Sequence, residues 1–276
     1  MLRSSNPILS KQDAFTPAAP QYGQTQFGRS PYQQYPPDPY GRQPQPPVQQ
    51  ASEGRMTFDD VVTKTAVTMG VLAIAAGLAW LLVPAALYFP AMVLSGLVGF
   101  VVVMVVSFRR VVSPALVLAY AAIEGVFIGM ISKVFESLYP GIVAQAVVAT
   151  FFAAGITLAA YKFFNIRVTA KFSKVVVIST IAFAALMLVN FIWSIVTGSG
   201  GLRGGITGPV TPLAVGISLI AIVLAVLNLV LDFDYIEKGV AMGAPARESW
   251  RGAFGLTVTM VWLYVEMLRL LSYLRR

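Results

Sequence analysis

From residue 61 to residue 271 the chain breaks into seven apolar runs, each close to the ~20 residues that cross a bilayer core. They cover residues 61–83, 88–108, 114–135, 142–164, 175–196, 212–231 and 252–271. In hydrocarbon a backbone must satisfy its own polar groups, and runs of this length do so as helices. The seven prolines beyond residue 60 all fall between or at the edges of the runs, where a missing N–H costs least. The sequence thus predicts an all-α polytopic membrane protein with seven transmembrane helices.

Composition agrees and closes off other classes. Of the 276 residues 57% are hydrophobic and 12% charged, too apolar for an ordinary soluble domain. Without cysteine or histidine the chain has no disulfides, no thiolate chemistry and no imidazole ligand or pH switch, so proton sensing falls to carboxylates. The net charge of +8 comes from Lys and Arg placed between oily segments and not on one soluble face, so no nucleic-acid partner is expected.

Residues 1–57 are a different material. Ten of the 17 prolines lie there, in stretches such as PYQQYPPDPYGRQPQPPVQQ that cannot build a core. A disordered tail is expected over 1–57 and a transmembrane domain over 58–276. The first twenty residues lack the apolar run of a secretory signal.

Basic residues set the expected orientation. Arg109 and Arg110 follow the second run, Lys162, Arg167, Lys171 and Lys174 surround the fourth connection, and Lys238, Arg247 and Arg251 occupy the sixth. By the positive-inside tendency these loops and the tail are cytoplasmic in a multi-pass protein of the plasma membrane, surrounded by membrane lipids. Seven complete crossings then leave Arg275 and Arg276 outside, against that tendency. GSGGLRGGITGP in the fifth connection lacks the Lys-Ser/Thr of a phosphate loop and reads as a flexible outer loop.

Polar residues within the runs need reasons, because a charged side chain at a helix centre costs about 2.5–3.5 kcal/mol or more. Glu124 lies ten residues past Pro114, hence roughly 15 Å into its helix. It lines an ion path or ties helices together. Glu266 stands three residues before Arg269, so an intrahelical ion pair competes with a path role. Asn190 and Asn228 read as interhelical hydrogen-bonding groups, and GVFIG (125–129) as a close-packing spacing. Asp232 and Asp234 end a run of twenty uncharged residues at what looks like a helix C-terminus, where acids oppose the macrodipole.

An oily helix closing on LDFDYIEKG, a charged loop with GAP, and a last helix with WLYVEMLRLL resemble the transmembrane Bax inhibitor motif family, the Bax inhibitor-1-like proteins, in its bacterial branch with a polar N-terminal tail. The resemblance runs from about residue 58 to the end. It implies six helices around a central seventh, and a pH-dependent calcium leak gated by two aspartates on the last two helices. Asp232 matches the first. Ungapped alignment on Leu268 and Arg269 puts the second on Thr259, and a slip of seven residues puts it on Glu266. Arg109 resembles the family's basic residue at the inner end of the second helix, which pairs with the helix-six aspartate.

The expected function is therefore a pH-sensing calcium leak whose cytoplasmic mouth is closed by Asp232 with Arg109, Asp234 and Thr259, with Glu124 and Glu266 as further acids of an ion path. Calcium, a hard cation, favours such oxygens. The alternative is a non-transporting regulator of membrane proteases or stress responses, with membrane-protein partners. An intramembrane aspartyl hydrolase would need a second aspartate in the apolar interiors, and none occurs there. No catalytic residue, resident metal or cofactor is expected.

Overall fold

The structure, a computed structural model, describes residues 54–276; the expected disordered tail lies outside them up to residue 53. Seven long helices account for nearly all of the described chain: α1 Phe58–Leu82, α2 Tyr88–Phe108, α3 Pro114–Leu138, α4 Ile142–Phe163, α5 Ala170–Thr197, α6 Pro212–Ala241 and α7 Glu248–Leu274. Each is long and apolar enough to cross a membrane. Their starts follow local chemistry. Thr57, Thr169 and Thr211 cap α1, α5 and α6 through side-chain oxygens that accept from N–H groups three residues on. Pro114 and Pro212 occupy the first turns of α3 and α6.

Several helices outrun the apolar runs that announce them. The largest excess is in α6, which continues for ten residues past Leu231 to Ala241. Asp232 and Asp234 therefore lie inside a helix, and the expected conflict with a helix terminus does not arise. Hydropathy marks where hydrocarbon would end; the hydrogen-bonded turns of LDFDYIEKGVA carry on regardless.

The central element is α7. It packs on α1, α3, α4 and α6, touching α1 at Val61 and Gly252, α3 through the Tyr120 and Phe254 rings and α6 at Asp232 and Thr259; it meets α5 through the Phe183 and Trp262 rings and reaches the Arg109 carbonyl at the end of α2 through Arg251. It is the least hydropathic of the seven yet half of its most apolar stretch is buried, whereas the very apolar α5 has Val176 as its one fully buried residue. That distribution suits a lipid solvent: polar groups collect where protein surrounds them, and apolar surface faces outward. The result is the expected arrangement of six helices about a seventh.

Helix α3 packs most closely on α1. A Cβ on Gly125 would stand 2.5 Å from the carbonyl oxygen of Leu72, and one on Gly129 would overlap that of Ala76. Gly129→Leu is expected to force the two helices apart and destabilise the bundle by about 1–3 kcal/mol. Gly77→Ala, whose added methyl meets nothing within 4 Å, should be silent. Unfolding of both variants in detergent checks this, and equal stability would refute the packing role.

Connections gather at two ends. At the first end lie the starts of α1, α3, α5 and α7. Residues 54–56 pair with the α6–α7 turn there through Met56 N–H to Ala244 O (2.7 Å) and Ala246 N–H to Gly54 O (2.6 Å). At the second end Arg275 donates to the carbonyls of Tyr139 and Pro140, and Arg276 to those of Gly205, Ile206 and Gly208. These cations complement helix-end and loop carbonyls, which gives the two terminal arginines a structural reason to stand at this end. With 27 residues, α7 runs the full length between the ends.

Candidate functional site

Asp232 projects from α6 onto a surface of α7 made by Gly255 and, one turn on, Thr259. The Thr259 hydroxyl donates to Asp232 Oδ2 at 2.7 Å. Gly255 allows the approach, since a Cβ there would lie 3.0 Å from Asp232 Oδ1. Thr259 is buried and Asp232 half-buried. A carboxylate accepting from a hydroxyl in such surroundings makes a charge-assisted bond, about twice as strong as a neutral one. The bond links the central helix to α6.

Next to this contact is a cavity of about 490 Å³ at the first end, lined by Asp232, Asp234, Asn228, Tyr235, Lys238 and Glu248 among others. Its acids are held separately. Asp234 pairs with Lys238 one turn on at 2.6 Å, Glu248 Oε2 accepts from the Tyr235 hydroxyl at 3.0 Å, and Arg251 Nε lies 3.3 Å from the same oxygen. Among the described residues no three acidic side chains converge to hold a metal ion. The chemistry on offer is an oxygen-rich mouth with one carboxylate bonded to the neighbouring helix.

Arg109 is not part of it. Its side chain is exposed at the end of α2, and its contribution is a backbone carbonyl that accepts from Arg251 Nη2 at 3.1 Å. The expected Arg109–Asp232 pair is absent because α2 packs on α3 and does not touch α6.

Glu266 sits far from Asp232, toward the second end, and its partner is not Arg269. Arg203, from the single 3-10 turn Gly201–Arg203 in the α5–α6 connection, donates Nη1 to Oε1 at 2.9 Å and Nη2 to Oε2 at 3.0 Å. Both residues are buried, at 7% and 3% exposure, so this is a bidentate ion pair inside the protein. The Arg203 guanidinium also lies over the Phe183 ring, and its carbonyl accepts from the Tyr273 hydroxyl. An i,i+3 pair with Arg269 loses to a partner that reaches both carboxylate oxygens.

The connection expected to be a flexible loop is thus folded inward around Arg203. Gly201 and Gly204 adopt φ +63° and +68°, conformations that favour glycine, and Leu202 N–H donates to Asn190 Oδ1 at 2.6 Å. Asn190 therefore anchors this connection, while Asn228 Nδ2 bonds Thr180 on α5 at 2.8 Å. Glu124 lies on α3 near the middle of the bundle, its Oε2 so close to Gly99 of α2 that a Cβ there would come within 2.5 Å. It faces the α2–α3 contact, on another flank from the Asp232 cavity.

A family model described as Bax inhibitor 1 like matches residues 6–276, nearly the whole chain. The chain belongs to the Bax inhibitor-1-like family. No curated protein matches it. In this Bax inhibitor-1-like protein the contact between the last two helices joins an aspartate to a threonine hydroxyl. Glu266 lies two turns beyond Thr259 on α7 and is committed to Arg203.

Arg203, buried in this Bax inhibitor-1-like bundle, stands in the sequence within a glycine-rich stretch that reads as an outer loop. A signal was present: a lone arginine between glycine pairs, and a glutamate at depth with no strong partner. Lys133 of α3 is a second cation with an internal partner. Its Nζ donates to the Trp80 carbonyl at the end of α1 and lies 4.9 Å from the Tyr88 ring centroid, so it closes a helix terminus.

Proposed function

We propose that this membrane protein is a pH-dependent calcium leak whose latch is the Asp232–Thr259 bond at the cytoplasmic mouth. The observation that carries the reading is a half-buried carboxylate, bonded to the central helix, beside a cavity of about 490 Å³ that Asp234 and Glu248 also line. Carboxylate oxygens at that mouth attract a hard divalent cation. Protonation of Asp232 replaces a charged acceptor with a neutral one, weakens the bond to Thr259 and lets α6 and α7 separate. Flux accordingly rises as pH falls. No chemical reaction is assigned: Asp232 and Asp234 each bond a different group, which does not favour a hydrolase dyad.

Calcium flux into liposomes holding the purified protein, scanned across pH, tests the proposal. A baseline equal to that of empty liposomes at every pH would remove it and favour a regulator acting on other membrane proteins.

The proposal places the first end in the cytoplasm of a cell whose plasma membrane holds the protein. The chain has no native cysteine, so single-cysteine labelling is unambiguous. Met242→Cys in the exposed α6–α7 turn should react with an impermeant maleimide only from the cytoplasmic side, and Thr207→Cys only from outside. The reverse pattern would overturn the orientation.

A further inference from the structure

Helices α1 and α4 do not pack on one another, and the space between them is an apolar groove. Two cavities of about 340 and 770 Å³ make it up, and both are lined by Met69 of α1 and Phe151 of α4. Met260 and Val261 of α7 lie against the deeper cavity, Phe233 and Ile236 of α6 against the wider one. At the first end the groove reaches Tyr161, Lys162 and Glu237. The same three residues line a polar cavity of about 330 Å³ together with Asn165 and Arg167.

We propose that groove and polar vestibule bind one phospholipid with an anionic headgroup, its phosphate against Lys162 and Arg167 and one acyl chain lying between α1 and α4. The shape is amphipathic in the right order, with the polar cavity at the bundle's end and the apolar groove running inward. From Lys162 to Val147, which lines the deeper cavity, α4 rises roughly 22 Å, a length suited to a long acyl chain. A water-soluble phosphate would leave this groove unfilled.

Charge selects the headgroup. Lys162 and Arg167 supply two cations, against one carboxylate, Glu237, whose Oε2 is already engaged by the Tyr161 hydroxyl at 2.5 Å. Lys162 lies in the last turn of α4, where a cation also complements the helix dipole. Arg167 lies beyond that helix, in the connection to α5, and lines the same polar cavity. Basic pockets between transmembrane helices hold anionic lipid headgroups in this way.

The test is lipid titration of the full-length protein in neutral detergent, read by native mass spectrometry. Phosphatidylglycerol and phosphatidylcholine of identical chains are compared, with glycerol 3-phosphate as competitor. Phosphatidylglycerol should bind about tenfold more tightly. Lys162→Ala with Arg167→Ala should bring the two lipids to parity. Gly155→Phe should weaken both lipids without lowering thermal stability, because a Cβ at Gly155 meets nothing within 4 Å and the ring has the groove's cavity of about 770 Å³ to enter. Equal affinity for the two lipids in the unaltered protein would overturn the proposal. So would a preference that survives the double substitution, undiminished binding in Gly155→Phe, or displacement of the lipid by glycerol 3-phosphate.

Discussion

Arg203→Ala is expected to destabilise the protein by about 3–5 kcal/mol, the loss typical of removing one member of a buried ion pair. The substitution leaves Glu266, 3% exposed, with an uncompensated charge inside the bundle. It also removes the side chain that ties the α5–α6 connection to α7. Arg203→Lys should recover only part of the loss, since an ammonium cannot bond both carboxylate oxygens in the fork geometry seen here. Arg203→Met combined with Glu266→Met should lie near the unaltered protein, because a buried pair replaced by apolar groups of similar size is often neutral. Denaturation in detergent reads all three. Losses below about 1 kcal/mol in the alanine variant would mean that the pair is solvated and the loop dispensable.

Asp232→Asn should raise calcium flux at neutral pH and flatten its pH response. The amide keeps the size and still accepts from Thr259, but a neutral hydrogen bond falls short of a charged one by about 1 kcal/mol, which shifts a latch equilibrium roughly fivefold. Thr259→Val removes the donor while keeping the shape, so it should act in the same direction. Thr259→Ser should behave like the unaltered protein. Asp234→Asn should do little, because Asp234 pairs with Lys238, whose side chain is 57% exposed, and such pairs contribute little. If Asp232→Asn and Thr259→Val both keep the ordinary flux profile across pH, the contact is a packing detail and the latch is elsewhere.

The separate fates of Asp232 and Glu266 explain how far sequence can carry a reading of such a chain. Both are acids in oily surroundings, and both signal a partner by the cost of their burial. For Asp232, matching motifs on the last two helices brings Thr259 within reach as a neighbour, because helical rise converts residue number into depth along two helices that pack together. For Glu266 the spacing of neighbours on a single helix points to Arg269, three residues on, and fails. Its partner lies 63 residues away, on a connection whose inward fold depends on glycines in left-handed conformations and on Asn190. Arg109 fails for a related reason: its depth suits Asp232, but α2 and α6 lie on different flanks of the bundle.

The sequence by itself determined the seven spans, most of their starts and the membrane setting, because bilayer thickness and backbone hydrogen bonding act on each segment independently of the others. Proline, threonine caps and apolar run length are local, and local physics can be read in order along a chain. Only the tertiary structure decided which flank each polar side chain faces. It put α7 at the centre, turned Glu124 toward Gly99, seated Arg203 on Glu266 and opened the groove between α1 and α4. Between apolar helices in hydrocarbon there is little hydrophobic preference for one neighbour over another, so pairing is settled by close contacts such as Gly129 on Ala76 and by a few polar bonds across helices. Those are properties of pairs of distant residues, and no segment carries them alone.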